Sequence, residues 1–146
     1  MKKMAMGLLA CSLCWTAGAD ELKWMTDLPK AQAKAKAEHK WVMMDFTGSD
    51  WCPGCIALNK EIFSTAEFAK YAENNLVPVQ VDFPHHKTQS AELKKANEAL
   101  TDKFKIEGFP TVVFLNPDGK KVGELHGVEG GPKAFIAEFE KLKGKS

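Results

Sequence analysis

The sequence has 146 residues, 45% hydrophobic and 27% charged, with a formal net charge of +1. These proportions fit one globular domain and argue against a disordered chain. The 20 Lys are balanced by 19 acids and there is no Arg, so bidentate arginine readout of guanine is excluded and a nucleic-acid partner is not expected.

The four cysteines form two Cys-x-x-Cys pairs, Cys11/Cys14 and Cys52/Cys55. Taken at face value, that is a zinc-ribbon spacing with a long spacer. The first pair lies in a segment with its own logic. Lys2 and Lys3 precede an uncharged apolar stretch from Met4 to Leu13, and Ala17-Gly18-Ala19 supplies small residues for a signal peptidase. That is the layout of a secretory signal peptide, residues 1–19, cleaved before Asp20. The apolar run is too short for a membrane anchor. Leu8-Leu9-Ala10-Cys11 loosely resembles a lipoprotein processing site, with Leu9 a poor fit. Cleavage after Ala19 leaves one domain over residues 20–146 with 18 Lys against 19 acids, hence a charge of −1. It also removes Cys11 and Cys14. No later apolar run reaches membrane-spanning length, and a periplasmic or secreted product is expected.

In chain order, 22–28 is an entry segment with a possible strand at Lys23-Trp24. Residues 29–39 read as a helix with Pro29 in its first turn. Residues 41–46 are apolar in succession, as in a central strand covered on both faces. A turn, Thr47-Gly48-Ser49-Asp50-Trp51, leads to a helix starting near Cys52, with Ile56, Asn59, Ile62 and Phe63 at helical spacing and further helix over 64–72. A second strand spans 76–83, with Pro78 tolerable near its start. Residues 84–89 form a polar loop in which His85, His86 and Lys87 are expected to be solvated. The helix over 90–103 has Leu93, Ala96, Ala99 and Leu100 on one side. Gly108-Phe109-Pro110 breaks the chain before a strand at 111–115. Asn116-Pro117-Asp118-Gly119 is a turn, and 121–126 returns antiparallel, with His126 expected to be structural or exposed. A Gly-rich connector precedes a last helix over 133–143 with Phe135, Phe139 and Leu142 on one face. This order predicts an α/β domain with a central mixed sheet flanked by helices on both faces.

Cys52 and Cys55 fall at a strand-to-helix junction. There the free N–H groups and dipole of the helix start favour a thiolate at the first Cys, and the second lies one turn away. Such a pair can exchange disulfides: one thiolate attacks, the other resolves. A permanent disulfide over so short a loop would stabilise little. A zinc site would need two more ligands, and adjacent His85 and His86 chelate one metal poorly. A Cu(I) carrier would add a Met or His; Met43 and Met44 are near in sequence but sit within the strand.

The run from Asp45 to Cys55 (DFTGSDWCPGC) and the later Gly108-Phe109-Pro110-Thr111 resemble the thioredoxin superfamily in type, order and spacing, over nearly all of residues 20–146. The Gly-Ser-Asp-Trp-Cys-x-x-Cys element is similar to secreted bacterial thioredoxin-like oxidoreductases of the DsbH type. The resemblance implies a thioredoxin fold and a thiol-disulfide oxidoreductase activity. It makes Cys52 the exposed nucleophile, Cys55 the buried resolving thiol and Asp45 a buried acid assisting proton transfer. It also implies a cis Phe109-Pro110 peptide holding substrate beside the disulfide, with Trp51 contacting substrate. The Asp45 to Cys52 spacing is one residue longer than in cytosolic thioredoxin, the extra residue falling in the Gly48-Ser49-Asp50 turn. Pro53-Gly54 replaces the common Gly-Pro. Pro53 offers no N–H to Cys52 and the dipeptide carries no cation, which favours a reductant over an oxidase or isomerase. The implied partners are disulfide-bonded secreted proteins and a membrane electron donor of the DsbD kind. A monomer is expected. No NADPH or flavin motif is present and no cofactor is expected.

Overall fold

A computed structural model describes residues 21–127 and 129–146. The expected signal peptide, with Cys11 and Cys14, lies outside the described residues. The order of elements is α1 (Leu28–Glu38), β1 (Trp41–Thr47), α2 (Pro53–Leu58), a π-helical turn (Asn59–Phe63), α3 (Ala66–Asn75), β2 (Leu76–Asp82), α4 (Ala91–Phe104), β3 (Thr111–Leu115), β4 (Lys121–Leu125) and α5 (Gly131–Lys143). The sheet runs β2-β1-β3-β4, with β1 parallel to β2 and antiparallel to β3, and β3 antiparallel to β4.

Alternation along β1 divides the core. Val42, Met44 and Phe46 enter one cluster with Leu28, Ala31 and Ala35 of α1 and Val77, Val79 and Val81 of β2. Met43 enters the other, with Leu58, Ile62, Phe63, Phe68, Phe135 and Phe139 from the helices opposite. A strand buried on both sides must be apolar on successive residues, which is the pattern of residues 41–46. It also puts Asp45 on the same face as Met43, the face that carries α2.

Pro78 sits in β2 without breaking its ladder to β1. Its carbonyl accepts from Met25 N–H at 2.9 Å on the outer side, and Gln80 N–H donates to Met25 O at 2.8 Å. The nitrogen that lacks a proton therefore faces away from β1. The entry segment contributes this single bridge, Met25 to Val79, one residue beyond the strand expected at Lys23-Trp24.

Two helix faces differ from the sequence pattern. In α4 the inward residue is Asn97, 1% exposed, while Ala96 and Ala99 are exposed. Asn97 Nδ2 donates to Asp82 O at 3.0 Å, so a polar side chain takes a core position by capping the end of β2. In the helix after Cys52, Ile56 and Asn59 face solvent, and Cys55, Leu58, Ile62 and Phe63 are buried. The π-turn widens the last turn so that Ser64 N–H reaches Asn59 O at 2.8 Å, and Ile62 and Phe63 both turn inward. Among the described residues no helix is long and apolar enough to cross a membrane.

Candidate active site

The ends of β1 and β2 and the start of β3 meet at one edge of the sheet, where Thr47 pairs with Asp82 and Phe46 with Thr111. From that edge the chain turns: Cys52 N–H and Trp51 N–H both donate to Gly48 O, at 2.9 and 3.2 Å. Cys52 is then the N-cap of α2 and Pro53 opens the helix, where its missing N–H would have no partner anyway. Cys55 N–H donates to Cys52 Sγ at 3.3 Å, filling the role of a capping hydroxyl.

Cys52 and Cys55 are joined as a disulfide, with their Cα atoms 5.2 Å apart. Gly48 N–H points at Cys55 Sγ from 3.5 Å. Both sulfur residues are well covered: Cys52 is 6% exposed and Cys55 3%. The contrast between an exposed first and a buried second cysteine is thus small in the oxidised form.

The Phe109-Pro110 peptide is cis. A Cβ added to Gly54 would lie 3.3 Å from Pro110 Cδ, so the Cys-x-x-Cys dipeptide and Pro110 are neighbours in space. A side chain at position 54 would press on Pro110, a contact the sequence did not reveal. Thr111 Oγ1 donates to Gly108 O at 2.7 Å and braces this loop. His126 stands 3.3 Å from the same Oγ1 through Nδ1 and 3.1 Å from Glu124 through Nε2, with its ring largely in water.

Asp45 is 5% exposed and its Oδ1 has no hydrogen-bond partner among the described residues. Burial pushes its carboxyl up to about 7, and the charge of Asp82 adds to the shift. An acid that changes protonation near neutrality, on the sheet face beneath α2, is equipped to take or give a proton there.

Trp51 is 38% exposed. Its indole Nε1 donates to Phe83 O at 2.7 Å, its ring stacks on His85 at 4.4 Å and 6°, and Phe109 meets it edge-on at 6.2 Å. Phe83 in turn stacks on Phe109 at 5.1 Å. Loop 84–89, whose His85, His86 and Lys87 were expected to be solvated, is instead tied to the turn before Cys52. Asp50 accepts from His85 N–H at 2.9 Å and His86 N–H at 2.8 Å, and Lys87 Nζ donates to Ser49 Oγ at 3.0 Å. Ser49 donates through both N–H and Oγ to the Asp82 carboxylate. Asp50, His85 and Phe83 are the site residues that sequence reasoning missed. The one available signal was the extra residue in the Gly48-Ser49-Asp50 turn.

Of the sequence-selected residues, the structure gathers Cys52, Cys55, Trp51, Phe109 and Pro110 at one surface, with Asp45 buried beneath. Among the described residues no group of three or more His, Cys, Asp or Glu side chains is placed to hold a metal ion.

Comparison with known proteins matches residues 28–143 to a thioredoxin-like domain family. The disulfide bond reductase DsbH of Chlamydia pneumoniae is 34% identical over 122 residues, covering 84% of this chain and 73% of that protein. A solved DsbH oxidoreductase structure superposes with a TM-score of 0.78 at 33% identity, covering 84% of each chain. The thiol:disulfide interchange protein DsbD of Vibrio cholerae is 38% identical over 101 residues, which is 67% of this chain but only 15% of that much longer protein.

Proposed function

The chain belongs to the thioredoxin-like family and is a thiol-disulfide oxidoreductase, and on that premise we propose that it acts as a reductase of protein disulfides outside the cytoplasm. In the reduced form the Cys52 thiolate attacks one sulfur of a substrate disulfide. A mixed disulfide forms and the other substrate sulfur leaves as a thiolate, which takes up a proton. Cys55, deprotonated by Asp45, then attacks Cys52 Sγ and releases the second substrate sulfur. Two electrons have passed to the substrate and the Cys52–Cys55 disulfide remains. Exchange with a dithiol donor of the DsbD kind restores the reduced form. Pro110 and Trp51 hold the substrate segment beside Cys52 during the attack.

The observation that carries the direction is the sparse stabilisation of a Cys52 thiolate. Among the described residues the hydrogen bond to its Sγ comes from Cys55 N–H, Pro53 has none to give, and no cation stands in the dipeptide. Strong oxidants are strong because their reduced thiolate is stabilised. A site that lacks this help holds its electrons less tightly. Similarity to a protein named disulfide bond reductase agrees with this direction. Export rests on the sequence of residues 1–19 and on cleavage after Ala19, which N-terminal sequencing of the exported protein would check.

The direction is tested by equilibrating the protein with glutathione and quantifying both forms. The expected potential lies well below that of the strong dithiol oxidants. A value near about −120 mV would reverse the assignment. The roles of the thiols are tested by Cys52→Ser, which should abolish insulin reduction, and by Cys55→Ser, which should trap the mixed disulfide. Asp45→Asn should slow release of that mixed disulfide roughly a hundredfold at pH 7, seen as its accumulation in acid-quenched samples.

A further inference from the structure

The turn before Cys52 and loop 83–87 are joined more heavily than chain connectivity requires. Phe83 N–H donates to Thr47 O at 2.9 Å, continuing the β1–β2 ladder by one step. Beyond that point, among the described residues, no sheet hydrogen bond holds the loop. Its path is set by side chains of the turn. The two carboxylate oxygens of Asp50 each accept one backbone N–H, from His85 and His86. These bonds hold Asp50 ionised more firmly than an ordinary carboxyl, its pKa being lowered chiefly by the His85 amide. Ser49 is bound to Asp82, and Asp82 O accepts from Gln89 Nε2 at 3.1 Å and from Asn97 Nδ2.

The result is a continuous aromatic shelf at the mouth of the disulfide. His85 lies flat on Trp51, Trp51 meets Phe109, and Phe109 lies against Phe83. The Trp51 indole lies directly over Gly48, where an added Cβ would come within 2.4 Å of the ring. Trp51, at 38%, and Ile56, at 45%, are the large apolar side chains that stay exposed among the described residues, and they flank the two ends of the Cys52–Cys55 segment. An apolar surface of this kind beside the disulfide has little to offer a small charged disulfide. It suits the extended backbone and side chains that flank a cysteine in a polypeptide.

We propose that loop 83–87 is a specificity element of this site: His85 is a substrate-contacting residue that completes the Trp51 shelf, and Asp50 is the positioning residue that clamps it there, selecting polypeptide disulfides over small ones. This rests on the reductase reading above and adds what that site recognises. Asp50 does not touch the reacting sulfurs. It acts by fixing two backbone amides so that His85 meets Trp51.

The test compares kcat/KM for insulin with kcat/KM for oxidised glutathione in the wild-type protein, His85→Ala, His85→Phe and Asp50→Ala. A stacking contact of the usual strength corresponds to up to about tenfold in affinity. The ratio of the two efficiencies should fall about tenfold in His85→Ala and Asp50→Ala, through KM for insulin rather than kcat. It should recover in His85→Phe, which keeps a flat ring. A ratio unchanged within about twofold in His85→Ala would overturn the proposal, as would an equal loss on both substrates, which marks a merely structural role. Should Asp50→Ala fail to fold, the two His85 variants decide alone. A wild-type protein that reduces neither substrate would refute the reductase reading itself, a result distinct from a lost ratio.

Discussion

The buried carboxyl of Asp45, proposed above to move a proton to or from Cys55, makes stability depend on pH. Its carboxyl titrates at about 7 in the folded protein and near 4 in an unfolded chain. Between those values the native state holds a proton that the unfolded state has released. Stability is therefore full below about pH 4 and falls as pH rises through about 7, by up to roughly 4 kcal/mol. Urea unfolding of the oxidised protein from pH 4 to 8 should show this decline, and Asp45→Asn should flatten it. Equal slopes in the two proteins would refute the assignment. Gly48 is a second residue with a spatial reason: the indole of Trp51 occupies the place of a Cβ. Gly48→Ala should displace that ring and cost roughly 1–3 kcal/mol, read by denaturant midpoint together with a shift in tryptophan emission. Cys52 and Cys55 could be selected from sequence because paired thiols at a strand-to-helix junction have a recognisable spacing, whereas Asp45 followed only from the resemblance to the thioredoxin superfamily. Asp50 could not be selected, because its partners are amides 35 and 36 residues away.

At the scale of elements, boundaries followed capping chemistry. Thr65 Oγ1 accepts from Phe68 N–H at 3.3 Å and donates to Ile62 O at 2.6 Å, so it opens α3 and closes the π-turn together. Thr65→Ala should cost about 1–2 kcal/mol, measurable by thermal unfolding, whereas an exposed Ala66→Ser change should stay within about 0.5 kcal/mol. The strands were legible from apolar runs and turn residues. The helix after Cys52 was legible in position but not in phase. The sequence grouped Ile56 and Asn59 with Ile62 and Phe63 at helical spacing, whereas the buried set is Cys55, Leu58, Ile62 and Phe63, with a π-turn over Asn59–Phe63. Asn97 was missed for the opposite reason. A polar side chain inside an apolar stripe has no sequence signal when its partner is the carbonyl ending a different strand.

Across the whole molecule, the sheet separates two cores and α5 locks the one that supports the active-site helix. Phe135 meets Phe63 of the π-turn at 5.5 Å, Phe68 of α3 at 5.4 Å and Phe114 of β3 at 6.2 Å. Phe135→Ala should therefore cost about 3–5 kcal/mol and loosen the helix that carries Cys55. Denaturant midpoint and hydrogen exchange across residues 55–63 would report both effects. The sequence by itself determined the order of elements, the two-sided burial of β1 and the dithiol at a helix start, because hydrophobic period, turn chemistry and Cys spacing are local properties. Tertiary structure alone decided which loop stands beside the disulfide, why Gly48 must be small, how closely Gly54 approaches Pro110 and how far Asp45 is desolvated. Each of these depends on atoms brought together by packing from distant parts of the chain, and no local pattern encodes such a distance.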